Sequence, residues 1–130
     1  MSERSKQIFS RWMPVENLEA KLYIEELRED SEGLHLQLAP PGPPLRRLYL
    51  NFDNFLAYRR ADEGDLLKTI GPSMVGATLF IVAHSEFLDW FIDQTLGVRE
   101  SDPIQHYAIY TPDTCVDILS LSPPKVSWQS

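Results

Sequence analysis

Apolar residues in the first half of this chain recur mostly at every second position. Leu18, Ala20, Leu22 and Ile24 share one parity and Glu19, Lys21 and Tyr23 the other, which predicts a half-buried strand over 18–24. A helix competes there, because Leu18 and Leu22 also lie four apart and Glu and Lys favour helices. The strand is preferred because Arg28 to Gly33 forms a polar turn into a second alternating run, with Leu34, Leu36 and Leu38 inward and His35 and Gln37 outward. Together these predict a hairpin with an acidic tip. Pro40-Pro41-Gly42-Pro43-Pro44 forbids regular structure and acts as a stiff connector. Arg46 to Phe52 is a third strand with Leu48, Leu50 and Phe52 inward. For Asp53 to Arg60 an extended or bent segment is preferred over a helical turn capped by Asp53. Asp62 to Ile70 reads as a short helix stopped by Gly71-Pro72.

In the second half the period changes. Ala77 to Ala83 is apolar on both parities, the pattern of a central strand covered on both faces. Ser85 suits a helix N-cap and Glu86 the first turn, where the helix dipole favours negative charge. From Glu86 to Leu96, residues Phe87, Leu88, Phe91, Ile92 and Leu96 form a stripe at helical spacing that Gly97 ends, and this stripe has to cover a sheet. Ile104 to Ser120 then reads as a hairpin about the loop Thr111-Pro112-Asp113-Thr114. That loop sets Tyr110 opposite Cys115, Ile109 opposite Val116, Ala108 opposite Asp117 and Tyr107 opposite Ile118. One face is apolar (Tyr107, Ile109, Val116, Ile118) and belongs beneath the helix. The other is mixed: His106, Ala108, Tyr110, Cys115, Asp117 and Leu119. Val126 and Trp128, after Ser122-Pro123-Pro124, suit a last edge strand. The pattern predicts a single α+β domain over 1–130: a mostly antiparallel sheet of about six strands with one long helix on one face. Residues 1–14 are expected to be a partly mobile segment with Trp12 tucked against the body. The strand–helix–strand unit over 77–110 offers a parallel crossover pair.

Composition narrows what such a domain does. At 130 residues the chain is long enough for one real core. A net charge of −7 argues against sequence-independent nucleic-acid binding, which needs cations on phosphates, and against anionic membranes. A single cysteine excludes an internal disulfide framework and a Cys-rich zinc site. The charged start MSERSKQIFSRWMPVE lacks the apolar core of a signal peptide, and no apolar run approaches the ~20 residues of a membrane span, so a cytoplasmic location is expected.

Cys115, His106 and Asp117 are residue types of a thiol hydrolase, but the register sets His106 four ladder positions from Cys115, roughly 13 Å at strand rise. Cys115 is more simply a small buried hydrophobe. His35, His84 and His106 lie on separate elements without metal-ligand spacing, and no glycine cluster is built to cradle phosphate, so neither metal nor cofactor is expected. His84, just before the helix, suits a packed staple better than acid–base work. Asp117, between Val116 and Ile118, is costly if buried unpaired; hydrogen bonds from His106, Tyr110 or backbone are expected, and the alternative is a place on a binding face.

Charge placement is more telling. Glu16 to Glu32 holds seven acids, among them Glu25, Glu26, Glu29, Asp30 and Glu32, against Lys21 and Arg28. Asp62, Glu63 and Asp65 form a second acidic cluster, and Arg46, Arg47, Arg59 and Arg60 a basic one. Such polarity steers association with a charged protein. Three stretches also resemble small bacterial proteins, some linked to immunity against secreted polymorphic toxins. They are S-E-F-L-D-W-F at 85–91, H-Y-A-I-Y-T at 106–111, and C-V-D-I-L-S at 115–120 with Pro124 beyond. The resemblance spans the last third of the chain. It implies a cytoplasmic protein that neutralises a toxin by binding it, without chemistry or cofactor. The expected partner is a basic toxin domain meeting Glu25, Glu26, Glu29, Asp30, Glu32, Asp62 and Glu63, and the expected state is a monomer or weak dimer. Two alternatives stay open: a ligand-binding or enzymatic domain with a pocket at His106, Tyr110 and Asp117, and an interaction module with no toxin.

Overall fold

Leucine and phenylalanine at alternate positions commit each strand to burying one face, and the chain meets that demand by packing two antiparallel sheets against each other. The computed structural model describes residues 6–18, 21–42, 46–66 and 69–129. In chain order its elements are β1 (Ile8–Arg11), β2 (Tyr23–Asp30), β3 (Gly33–Ala39), β4 (Arg47–Phe52), β5 (Phe55–Asp62) and β6 (Leu79–Ala83). Helix α1 (Glu86–Gln94) follows, then β7 (Gln105–Tyr110), β8 (Thr114–Ser120) and β9 (Lys125–Gln129). Short 3-10 turns occupy Glu63–Asp65 and Pro72–Met74. The larger sheet has the order β1-β6-β7-β8-β5 and the smaller β2-β3-β4-β9. Their inner faces share one core: Leu34, Leu36, Leu38, Leu48, Leu50 and Phe52 from the smaller sheet meet Leu79, Tyr107, Ile109, Val116 and Ile118 from the larger.

The mixed, antiparallel class follows the sequence pattern, but about six strands in one sheet does not: nine strands in two sheets are seen among the described residues. Strand parity reveals which face is buried, not what covers it. The apolar face of the β7–β8 hairpin therefore lies against the second sheet, where interdigitating side chains fill the space, and not beneath α1. The helix itself is shorter than expected. Of its stripe only Phe87 is fully buried, while Leu88, Phe91 and Ile92 are half-buried and Leu96 is 93% exposed. No parallel crossover forms either, because β6 pairs β7 antiparallel, leaving α1 as part of an ordinary return loop.

Other departures are local. Part of the expected first strand (19–20) lies outside the described residues, as do 1–5, 43–45 and 67–68. The first hairpin strand runs Tyr23–Asp30, so most of the acids expected in a turn stand in β2, which carries a bulge between Ile24 and Glu26. The connecting turn is only Ser31-Glu32. In place of a helix from Asp62, β5 continues through Asp62 into the 3-10 turn. Trp12 does tuck in, its ring 5.1 Å from Tyr107, and β9 forms an edge strand on β4.

Gly33, the first residue of β3, has φ 119°, and a Cβ there would stand 2.3 Å from the Phe52 carbonyl oxygen. Backbone, not a flexible side chain, blocks that volume, so β3 and β4 approach closely only with glycine in place. Gly33→Ala is expected to cost about 2 kcal/mol or more in urea unfolding. A loss below about 0.5 kcal/mol, the scale of a neutral surface change, contradicts the close approach.

Candidate functional site

Asp117 stands at the middle of β8 on the outer face of the larger sheet, opposite Ala108 on β7 and Arg59 on β5. The register is the one the Thr111–Thr114 loop implied. Ala108 is small, so the two larger side chains diagonal to Asp117 on β7 lean over it from either side. His106 Nε2 lies 2.7 Å from Oδ1, and the Tyr110 hydroxyl donates to both carboxylate oxygens at 3.0 Å. From the other strand Arg59 Nε donates to Oδ2 at 2.9 Å. Asp117 is 1% exposed. Burial pushes its carboxyl up, but the His106 hydrogen bond and the charges of His106 and Arg59 outweigh burial and hold it below the usual carboxylate range. Burial, then the adjacent Asp117 charge, pushes the Tyr110 phenol far above its ordinary value, so it stays a donor.

The chain of hydrogen bonds continues into α1. His106 Nδ1 is 2.6 Å from Ser85 Oγ, and that oxygen also accepts from the Leu88 backbone N–H at 2.9 Å as the helix N-cap. Asp117 offers only acceptors, so Nε2 carries a hydrogen, while Nδ1 and the serine hydroxyl share the other. Phe87 closes the site, meeting the His106 ring edge-on at 5.8 Å with the Arg59 guanidinium 4.4 Å above its own ring. Sequence reading paired Asp117 with His106 and Tyr110 but missed Ser85 and Arg59. Ser85 was legible only as a cap, and Arg59 lay on a strand whose register was not assigned.

Ser85, His106 and Asp117 in this order have the connectivity of a nucleophile, base and carboxylate relay. Ser85 and His106 are only 3% and 1% exposed, however, and Phe87 and Arg59 lie across them. In this arrangement a substrate carbonyl has no approach to Ser85 Oγ, and the groups satisfy one another. Cys115 takes no hydrogen bond in the network and is 1% exposed, with burial first among the causes that push its thiol up to about 12. It is no thiolate nucleophile at neutral pH. A cavity of about 280 Å³ lies nearby, walled by Met74, Phe80, Thr78 and Thr111. Tyr110 lines it; His106 and Asp117 do not. His84 is exposed with φ 53°, ahead of the cap.

The acidic residues do not form one patch. Glu25, Glu26, Glu29 and Asp30 lie along β2, an outer strand of the smaller sheet, with Glu32 in its turn, whereas Asp62 and Glu63 end β5 in the other sheet. Several are engaged within the chain. Arg47 Nε reaches Glu25 at 2.6 Å, Arg28 bridges Glu26 (2.9 Å) and Asp30, and Arg60 pairs with Asp62 at 3.1 Å. His35 Nε2 and the Glu32 N–H both hydrogen-bond Asp30, at 2.9 and 2.8 Å, and hold its carboxyl below the ordinary value. The Glu29 and Glu32 carboxylates have no cationic partner among the described residues. The basic cluster is likewise taken up: Arg46 lies over Trp128 at 3.6 Å, Arg47 and Arg60 pair as above, and Arg59 holds Asp117.

No family model, curated protein or solved structure matches the chain. Among the described residues no helix is long and apolar enough to cross a membrane.

Two measurements probe the buried network. Asp117→Asn removes the charge that His106 and Arg59 face, and about 3 kcal/mol of stability is expected to go with it. Because folding lowers the Asp117 carboxyl, its contribution is complete above the unfolded value of about 3.9 and is lost as pH falls through the folded one. Urea melts from pH 7 to pH 3 are therefore expected to show a fall in stability below about pH 4 that is smaller in Asp117→Asn; equal slopes contradict this. Separately, Cys115 is expected to resist a maleimide at pH 7.5 in native protein and to label fully in urea, and rapid native labelling contradicts its burial.

Proposed function

We propose that this chain is a non-enzymatic protein-binding domain of the immunity type, neutralising a basic bacterial toxin by direct contact. The observation that carries the reading is β2, a strand of eight residues at an open sheet edge, exposed along Glu25, Glu26 and Arg28 to Asp30. An outer strand of this kind offers unpaired backbone groups and acidic side chains in one line. Glu29 and Glu32 are the acids there that no internal cation neutralises, so they are the ones that gain most from a cationic partner. The charge of −7 speeds encounter with such a partner. The motifs at 85–91, 106–111 and 115–120 point the same way by resemblance.

A second reading, a small-ligand domain, draws on the cavity beside Tyr110. Its volume of about 280 Å³ lies just below the range of roughly 300–1,000 Å³ typical of ligand sites, and its walls are mainly apolar. It suits a small, largely apolar molecule.

Affinity purification of tagged protein from its native cells separates the two. A stoichiometric basic protein is expected, bound at least about tenfold more weakly by the Glu29→Lys/Glu32→Lys variant and more weakly in high salt. Recovery of the chain alone with a co-purifying metabolite favours the cavity and overturns the binding proposal.

A further inference from the structure

The C-terminal end of α1 carries apolar surface that the fold does not use. Leu96 lies just past the helix at φ 55°, the left-handed region that a branched side chain occupies only at a cost of about 1 kcal/mol. Asn or Gly would suit that backbone better, yet the position holds a leucine that is 93% exposed. Gly97 follows at φ 80° and turns the chain back, so Val98 is also exposed, at 81%. The turn is held by the Gly97 N–H donating to the Ile92 carbonyl at 3.1 Å and the Leu96 N–H to the Asp93 carbonyl at 3.0 Å. Leucine is thus displayed by an ordered turn.

Beneath it runs a groove of about 570 Å³ between α1 and the segment leading into β7. Half-buried Leu88, Ile92 and Ile104 and exposed Leu96 line it. Asp89 and Asp93 on the helix and Glu100 and Asp102 on the return segment line its sides. Arg99 answers Asp102 at 3.0 Å, whereas the other three carboxylates have no cationic partner among the described residues. A groove lined by both apolar residues and unneutralised acids selects its occupant by charge: apolar side chains meet the leucines and isoleucines while lysine or arginine meets the carboxylates.

We infer that this groove docks a basic amphipathic segment of a protein partner, seating apolar side chains against Leu88, Ile92 and Leu96 and cations against Asp89, Asp93 and Glu100. The inference rests on the protein-binding reading above and adds to it a surface remote in sequence from β2.

The test uses the full chain and a synthetic 14-residue peptide of leucine and lysine at helical spacing, with an all-polar lysine–serine peptide as control. Backbone amide shifts from Leu88 to Ile104 are expected to move on titration with the leucine–lysine peptide. Leu96→Asn, which keeps the backbone conformation, and Asp93→Lys/Glu100→Lys are each expected to weaken binding by about tenfold. Glu29→Lys/Glu32→Lys is expected to change it by less than about threefold, the effect of a remote charge. All these positions are exposed, and matching thermal melts establish that the variants fold. Equal binding of the polar peptide, or equal weakening by the β2 variant, reduces the contact to general charge attraction and overturns the inference. So does a self-association that Leu96→Asn abolishes, since a second copy is then the occupant. If a cellular partner is captured but keeps its affinity for the groove variants, the groove fails while the binding function stands.

Discussion

A carboxylate in the middle of a buried strand dictates its own surroundings. Without donors it costs several kcal/mol, so Asp117 draws His106, Tyr110 and Arg59 onto it from two neighbouring strands. The consequence reaches beyond the sheet, because His106 then presents its second nitrogen to Ser85, the residue that caps α1. One connected set of hydrogen bonds spans β5, β8 and β7 and ties down the start of the helix. The helix buries Phe87 fully and Leu88, Phe91 and Ile92 in part, so these hydrogen bonds and apolar contact seat it together.

This arrangement divides the molecule into layers with different tasks. Between the sheets lie mainly aliphatic and aromatic side chains, and burial there supplies most of the stability. On the outer face of the larger sheet, Phe80, Val82, Tyr110 and Cys115 form a second, smaller apolar cluster beside the Asp117 network. The surface is where charge remains unanswered: Glu29 and Glu32 at the β2 end, and Asp89, Asp93 and Glu100 beside α1. Surface ion pairs such as Arg28 with Glu26 add little stability, so surface charge does little to hold the fold.

Much of this was legible in the sequence, and the exceptions share a physical cause. The β7–β8 register followed from one four-residue loop, and with it the approach of His106 and Tyr110 to Asp117. The inward positions of β3 and β4 followed from parity, since alternation is fixed by the strand itself. What failed was each inference about which element covers which. Leu36 and Leu50 look the same in sequence whether a helix or a second sheet lies over them. Phe91, Ile92 and Leu96 form a helical stripe whether or not anything receives it. The site was half legible for the same reason: neighbours on one hairpin could be paired, whereas Arg59, fifty-eight positions away, could not. The acids of β2 read as a turn because Glu and Asp seldom populate strands, and an outer strand tolerates them where a central one does not.

Asp117, His106 and Ser85 act as one unit that pins α1 to the sheet. A double-mutant cycle of Ser85→Ala and Asp117→Asn, measured by urea unfolding at pH 7, tests it most directly. The two residues are joined through His106, which bonds both, so a coupling of about 1 kcal/mol or more is expected, with the double variant less destabilised than the sum. Additivity within about 0.3 kcal/mol would show two independent sites and contradict the claim.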